Sequence, residues 1–315
     1  MSAKDLQTRA EAWLKARMKR LTPRQRLGLV TVLLLVYAAF CDSVAAGLWS
    51  DHGVAMIAST LLGAAILLGL EVLVAAEGGV VSAEELLERT AFAMAQQDVR
   101  YYLNGMLLEV STGVLRAVAT DGHRLAMCSM QAEIEHEGRH QVIVPRKGIL
   151  ELARLLTEQE AEVGIVLGQH HIRATTGEFT FTSKLIDGKF PDYERVLPRG
   201  GDKLVIGERQ SLREAFSRTA ILSNEKYRGI RLTLAAGLLK IQANNPEQEE
   251  AEEEVAVDYN GGNLEIGFNV SYLLDVLGVM TTDQVRLTLS DSNSSALVQE
   301  AGNDDSAYVV MPMRL

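Results

Sequence analysis

Hydrophobic and polar positions divide the chain into two materials. From Leu27 to Cys41 no charged residue occurs, Asp42 interrupts, and Ser43 to Ser50 is again uncharged; after Asp51 and His52, Gly53 to Leu70 is uncharged until Glu71. Two apolar runs around a short polar turn predict a helical hairpin. Leu27 to Trp49 and Gly53 to Ala76 each supply the roughly 20 mainly apolar residues that a membrane-spanning helix needs. A carboxylate inside the membrane costs a few kcal/mol, and each Leu, Ile or Val near the centre offsets about 0.3–0.6 kcal/mol of that. All eight Lys and Arg of residues 1–80 precede Leu27. The positive-inside bias therefore puts the N-terminus, and after two spans the rest of the chain, in the cytoplasm. A secretory signal peptide and a buried soluble hairpin are the competing readings, the first lacking a small-residue cleavage site after the first run.

From residue 81 the pattern changes to amphipathic helices and alternating strands, and it repeats. Ser82-Ala83-Glu84-Glu85 is a capping box opening a helix with Leu87, Thr90, Ala91 and Met94 on one face. Ser211-Leu212-Arg213-Glu214 offers the same box about 129 residues later. Met106–Val110 and Val114–Val118 around Ser-Thr-Gly predict a hairpin, matched by Arg231–Leu234 and Leu238–Gln242 around Ala-Ala-Gly. Further helices follow, on Ile149, Leu152, Ala153 and Leu156 and on Leu273, Val276, Leu277 and Met280. Another hairpin joins His171–Ala174 to Glu178–Thr182 across Thr176-Gly177. Helices that do not alternate singly with strands predict duplicated α+β domains rather than a doubly wound sheet. Pro198-Arg199-Gly200-Gly201-Asp202 reads as the linker between them. The final Tyr308-Val309-Val310-Met311-Pro312-Met313-Arg314-Leu315 continues a strand pattern to the last residue. It is read either as an ordinary edge strand or as an adaptable binding surface built on soft methionines.

Charge sharpens the division. The 315 residues carry a net −10; residues 1–80 contribute about +2 and the remainder about −12. Cys41 and Cys128 are the only cysteines and have no metal-ligand spacing, which points to a reducing compartment without disulfides.

Catalytic patterns are missing from the sequence. It contains no phosphate-binding G-x-x-x-x-G-K-[ST] loop, no H-E-x-x-H and no nucleophile elbow. His170 and His171, neighbours on a predicted strand, would face opposite ways and make a poor metal pair. His123 beside Asp121 could be imagined as a general base, but Asp-Gly ahead of a strand is ordinary turn chemistry. The carboxylates of 247–254 would alternate between two strand faces as a solvated acidic edge. The chain is therefore expected to be no enzyme and to need no cofactor or metal.

Gln97-Asp98-Val99-Arg100-Tyr101-Tyr102-Leu103-Asn104-Gly105, Ala119-Thr120-Asp121-Gly122-His123-Arg124-Leu125-Ala126, Phe190-Pro191-Asp192-Tyr193 and Ala243-Asn244-Asn245-Pro246-Glu247-Gln248-Glu249 occur in order. With these motifs the chain resembles the bacterial sliding clamp, the beta subunit of DNA polymerase III, from about Val81 to Leu315. The resemblance covers that family's second and third domains (81–198 and 199–315), and residues 1–80 match nothing in a clamp. Leu21-Thr22-Pro23-Arg24-Gln25-Arg26-Leu27-Gly28 is faintly similar to small membrane proteins of conjugative transfer systems.

The resemblance implies two helices per domain packed on antiparallel sheets, and a processivity factor that encircles double-stranded DNA. A topological binder tolerates an acidic exterior, although nonspecific DNA affinity ordinarily depends on cations. Gln97, Arg100, Arg146 and Lys147 are the implied DNA-facing residues, by resemblance and by helix position. The implied peptide cleft, which recruits polymerase III subunits, the clamp loader and other clamp-motif proteins, has two parts. Leu103, Thr120, Gly122, His123, Arg124, Leu125, Pro191, Arg195 and Val196 form one. Tyr272, Ser295, Val309, Met311, Pro312, Met313, Arg314 and Leu315 form the other. Ile221 and Leu222 are the implied oligomer interface. The family closes its ring with a first domain that has no counterpart here, so three two-domain chains are the expected way to six domains. A membrane hairpin fused to a clamp fragment without a replicative role is the rival reading, and a membrane-bound enzyme is a third.

Overall fold

The computed structural model describes residues 81–132, 138–157, 163–176 and 179–314, and from Val81 onward the chain forms one compact unit. The predicted hairpin over 27–76 and Leu315 lie outside the described residues. Among the described residues no helix is long and apolar enough to cross a membrane.

Helix α1 (Ala83–Ala91) opens as its sequence predicts. Ser82 accepts from the Glu85 amide and Glu85 accepts from the Ser82 amide, both at 3.1 Å. Ser82→Ala is expected to cost about 1 kcal/mol, readable as a lower melting temperature. The first half continues with β1 (Gly105–Ser111), β2 (Val114–Thr120), β3 (Arg124–Gln131), β4 (His140–Pro145), α2 (Arg146–Thr157), β5 (Val163–Leu167), β6 (His171–Thr176) and β7 (Phe179–Lys184). The second half contains β8 (Lys203–Glu208), α3 (Arg209–Ala220), β9 (Gly229–Ala235), β10 (Leu238–Asn244), β11 (Glu250–Ala256) and β12 (Leu264–Asn269). It closes with α4 (Val270–Val279), β13 (Gln284–Leu289), β14 (Ala296–Glu300) and β15 (Asn303–Val310).

Three antiparallel sheets result. One has eight strands in the order β4-β1-β2-β3-β15-β14-β13-β8, one has the order β11-β10-β9-β12, and the third β5-β6-β7. The three predicted hairpins pair as antiparallel strands, the first two with turns at Thr112-Gly113 and Ala236-Gly237; Gly113 and Gly237 both take φ +73°, a conformation that favours glycine. Glu250 to Glu254 of the acidic run lie in edge strand β11, while Glu247 and Glu249 sit in the turn before it.

Four expectations are corrected. Ser211 does not cap its helix: β8 runs straight into α3, Glu208 is the N-cap residue, and the Arg209 amide donates to Asp283 O at 2.8 Å. Ser211 instead donates its hydroxyl to the Glu208 carboxylate. His170 precedes β6 rather than lying on it. Gln97 and Arg100 are not helical, because α1 ends at Ala91 and the chain reaches β1 through a loop and a single 3-10 turn at Tyr101–Leu103. The terminal strand is not an edge. β15 lies between β14 and β3, pairing Val309 with Leu125 and Ser306 with Cys128, so the last strand joins the two halves.

Strand alternation sends alternate residues to opposite faces of the large sheet. On one face Leu108, Ala117, Ala126, Cys128, Tyr308 and Val310 join the main core beneath the helices. On the other, Leu107, Val118, Leu125, Ile143 and Val309 form a second, smaller cluster with Leu103, Phe190 and Tyr193. Leu103, Leu125, Val309 and Val196 of the expected cleft belong to or pack against this second cluster.

Candidate functional site

The expected cleft residues fall into three groups. Leu103, Leu125 and Val309 are buried in the second cluster and Val196 packs against it, so residues from both halves meet on one apolar floor. A rim of turns surrounds it. The Asp121 carboxylate accepts from the amides of His123 and Arg124 at 2.9 and 3.0 Å, and Thr120 Oγ1 accepts from Gly122 N at 3.1 Å while donating to Arg124 O at 2.6 Å. Gly122 has φ +89°, and a Cβ there would stand 2.9 Å from the Arg100 guanidinium. Leaving β15, the chain is held by two main-chain bonds, Met311 N to His123 O and Met313 N to Gly267 O, both 2.9 Å. Met311 is 40% exposed, Pro312 and Met313 are half-buried, and Arg314 is exposed. Ser295, half-buried, directly precedes Ala296, which pairs with Val310. Pro191 and Arg195 are exposed, Arg195 paired with Asp192 at 2.9 Å.

Arg124 does not share that floor. Alternation along β3 turns its side chain to the helix side, where Nε bonds Asp121 at 3.0 Å, Nη2 bonds Phe92 O at 3.0 Å, and the guanidinium pairs with Asp275. Its carbon lies 4.6 Å from the Tyr272 ring centroid and 5.2 Å from that of Phe92, within cation–π range. His123 stacks on Tyr272 with centroids 6.4 Å apart. Burial pushes the Tyr272 phenol above its ordinary pKa. Arg124 thus fastens the first half to α4 beside the cleft.

The four expected DNA-facing residues differ in how they are engaged. Gln97 and Lys147 are exposed. Arg100 closes on Asp98 through bonds of 3.0 and 2.7 Å, and the Arg100 hydrogen bonds hold the Asp98 carboxyl down to about 2. Arg146 donates to Ala91 O and Met94 O at 3.4 and 3.1 Å, occupying carbonyls at the end of α1. At the second half's surface, Ile221 is 76% exposed and Leu222 half-buried.

A polar network around Glu109 adds residues that no sequence motif marks. Glu109, buried on the cleft face of β1, accepts from Arg139 and Gln141 at 2.6 Å, from Arg116 at 3.3 Å and from Tyr193 at 3.1 Å. Burial raises its pKa, but the Gln141, Arg139 and Tyr193 hydrogen bonds outweigh that and lower it. Tyr193 opens the turn that carries Arg195 and Val196, so the network braces one wall of the cleft. Phe190 and Tyr193 are the two aromatic residues that flank Pro191-Asp192 in the motif Phe190-Pro191-Asp192-Tyr193. Among the described residues no group of three His, Cys, Asp or Glu could hold a metal.

Residues 81–192 match the family model of the DNA polymerase III beta subunit central domain, and residues 194–314 match that of its C-terminal domain. The chain belongs to the DNA polymerase III beta subunit family. It is 86% identical over 230 residues to the beta sliding clamp of Pseudomonas aeruginosa, covering 73% of this chain and 63% of the relative. It is 55% identical over 232 residues to the beta sliding clamp of Escherichia coli K12, covering 74% and 63%. A crystal structure of the P. aeruginosa beta subunit matches with TM-score 0.73 and 85% identity over 74% of this chain and 63% of that one. A P. aeruginosa sliding clamp bound to griselimycin matches with TM-score 0.72 and 85% identity, over 74% and 63%. The chain thus spans just under two thirds of the length of these clamp relatives, and all of the beta-subunit likeness lies from about residue 81 onward.

Proposed function

We propose that this chain acts as a DNA sliding clamp of DNA polymerase III, a cytoplasmic processivity factor with clamp domains at 81–198 and 199–315 and no catalysis of its own. Its recruiting site is the cleft floored by Leu103, Leu125 and Val309 and rimmed by Gly122, His123 and Met311. The observation that carries this reading is the meeting of both halves on one apolar surface beside a terminal segment held by two main-chain bonds. Burial of an apolar peptide side chain there contributes about 25 cal/mol per Å², and methionine rims adapt to several partners. Polymerase III subunits, the clamp loader and other clamp-motif proteins are the partner class. Double-stranded DNA would be held topologically, with Gln97, Arg100, Arg146 and Lys147 toward it and Ile221 and Leu222 at an oligomer contact.

The test is calorimetric titration of the full-length chain with griselimycin. Met311→Ala removes an exposed apolar side chain and no backbone bond, so an affinity loss of about tenfold, about 1.4 kcal/mol, is expected with the melting temperature unchanged. Absence of binding, or unchanged affinity in the variant, would remove the cleft.

A narrower reading is favoured by the engagement of two of the three candidate DNA cations, Arg100 with Asp98 and Arg146 with the α1 carbonyls. In it, the chain binds clamp-motif peptides without encircling DNA, as a membrane hairpin joined to a clamp fragment. Retention on circular but not linearised DNA would favour the ring, and equal loss from both the narrower reading. The tether at 27–76 is supported by its apolar runs. It predicts a membrane-fraction product that detergent releases and carbonate does not.

A further inference from the structure

Oxidisable sulfur is distributed unevenly between the core and the cleft. Among the described residues Met94, Met106 and Met280 are buried, and the Met106 sulfur accepts from the Thr90 hydroxyl at 3.6 Å. Met127, Met130 and Met313 are half-buried, and Met311 alone is exposed. The described cysteine, Cys128, is buried; burial pushes its thiol above the ordinary pKa, and the Ser306 hydroxyl donates to its sulfur at 3.2 Å. It is thereby withheld from thiolate chemistry. The sulfur most open to a small solute in this part of the chain therefore stands at the cleft rim. The backbone fixes where it points. Met311 N bonds His123 O, which extends the β15–β3 ladder one residue past the Val310–Arg124 pair. Alternation then sets Met311 on the face of Val309, the cleft floor. Pro312 has its own φ locked, and the bond from Met313 N to Gly267 O anchors the chain beyond it.

We propose that Met311 is a reversible oxidation site for hydroperoxides, and that its sulfoxide closes the cleft to partner peptides. The inference rests on the cleft reading above and adds its regulation. The Met311 sulfur lone pair attacks one oxygen of the peroxide; the O–O bond breaks as the S–O bond forms. The sulfur is oxidised, and the peroxide is reduced and leaves as water. A dithiol reductant reverses the step, becoming a disulfide while the oxygen departs as water. Oxidation turns a flexible apolar side chain into a polar one and disrupts methionine-built interfaces. Here the new oxygen is a hydrogen-bond acceptor beside Leu103, Leu125 and Val309, whose side chains offer no donor. An apolar peptide side chain seated on that floor strips the oxygen of water and gives nothing in return. With the main chain held on both sides, the segment cannot carry the oxygen away without breaking a backbone bond. The fold itself is spared, because the Met311 side chain is outside both core clusters. Met127 also packs against the second cluster, but it is half-buried, and susceptibility follows exposure.

The test treats the full-length chain in mild detergent with hydrogen peroxide, maps sulfoxide by peptide mass spectrometry, and titrates griselimycin before and after. Among the described methionines Met311 is expected to oxidise first. Affinity should then fall by about tenfold or more, the low end of what an unpaired buried polar group costs, with the melting temperature unchanged. Methionine sulfoxide reductases acting on both epimers, with dithiothreitol, should restore it. Met1, Met18 and Met56 precede the described residues and are controlled by Met311→Leu. Compared with its own untreated affinity, that variant should not change on peroxide treatment, and reversal by the reductases carries the test if it binds too weakly to titrate. No binding before treatment would overturn the cleft and the switch together. Binding that survives sulfoxide formation at Met311, earlier oxidation at Met127 or Met313, or an equal loss in Met311→Leu would overturn the switch alone.

Discussion

Arg89→Ala is expected to lower the unfolding free energy of the clamp unit by about 3 kcal/mol, the low end of what breaking a buried ion pair costs. Arg89 and Glu300 are 7% and 1% exposed, and the guanidinium bonds the Glu300 carboxylate at 3.2 Å and Ser306 at 3.4 Å. Its removal leaves a carboxylate buried without a counter-charge. The loss stays at the low end because Glu300 keeps other donors, the amides of Thr281 and Thr282 at 2.6 and 3.3 Å and the Thr281 hydroxyl at 3.1 Å. The pair joins α1 of the first half to β14 of the second, so the effect is on the junction that holds the cleft together. Arg89→Met combined with Glu300→Gln is expected to recover most of the loss. Methionine fills the volume, and the glutamine oxygen still accepts from Thr281 N while no net charge is left in the core. Urea unfolding followed by circular dichroism decides the matter. A single variant within about 0.5 kcal/mol of wild type, inside the range of ordinary surface changes, would mean that water or a shifted side chain replaces the guanidinium. A double variant no better than the single would mean that packing, not charge, is the main loss.

That pair also marks where sequence reading stopped. The capping box at Ser82, the three hairpins and the buried faces of α2 and α4 are local patterns, and they form. Ser211 carries the same local pattern as Ser82, yet β8 enters α3 without a break and displaces the cap to Glu208, a consequence of β8 pairing with β13 far along the chain. The terminal strand was ambiguous for a similar reason. Val309 and Val310 read as strand, but only the partner across the sheet, β3, distinguishes an edge from a joint. In the cleft, the motifs of the resemblance reach the apolar floor and name Arg124 together with Leu125, but a motif does not say which way each side chain faces. Strand alternation separates them, sending Leu125 to the cleft and Arg124 to Tyr272 and Asp275. Glu109 gave no signal at all, since a single acid between Leu108 and Val110 looks like an ordinary exposed strand position until Arg116, Arg139, Gln141 and Tyr193 converge on it.

Glu109→Ala is the second large effect, expected at about 2–3 kcal/mol, because it removes charge-assisted bonds and leaves Tyr193 and two arginines without their acceptor. The cost is below that of an isolated buried charge because Arg116 and Arg139 remain partly exposed and can reach water. Arg139 keeps Glu194 as a partner at 2.9 Å. The functional consequence follows from Tyr193, whose hydroxyl is fixed by Glu109, Arg116 and Arg139 while its ring fills the cleft cluster. Loosening it frees the turn that presents Val196, so peptide affinity is expected to fall although Glu109 itself touches no peptide. Tyr193→Phe separates the two roles, since the ring stays and the hydroxyl goes; a smaller stability loss with the same affinity loss would identify the turn as the element that transmits the effect. The pH dependence has a definite sign. The folded-state pKa of Glu109 lies below its ordinary value of 4.5, so its stabilisation is complete above that value and is lost as the pH falls through the lowered one. Wild type should therefore lose melting temperature relative to Glu109→Gln on acidification below about pH 4.5, and the difference between them should be constant from pH 6 to 8. A difference that instead grows toward neutral pH would show that the carboxylate is protonated in the folded chain and that the arginines are held by something else.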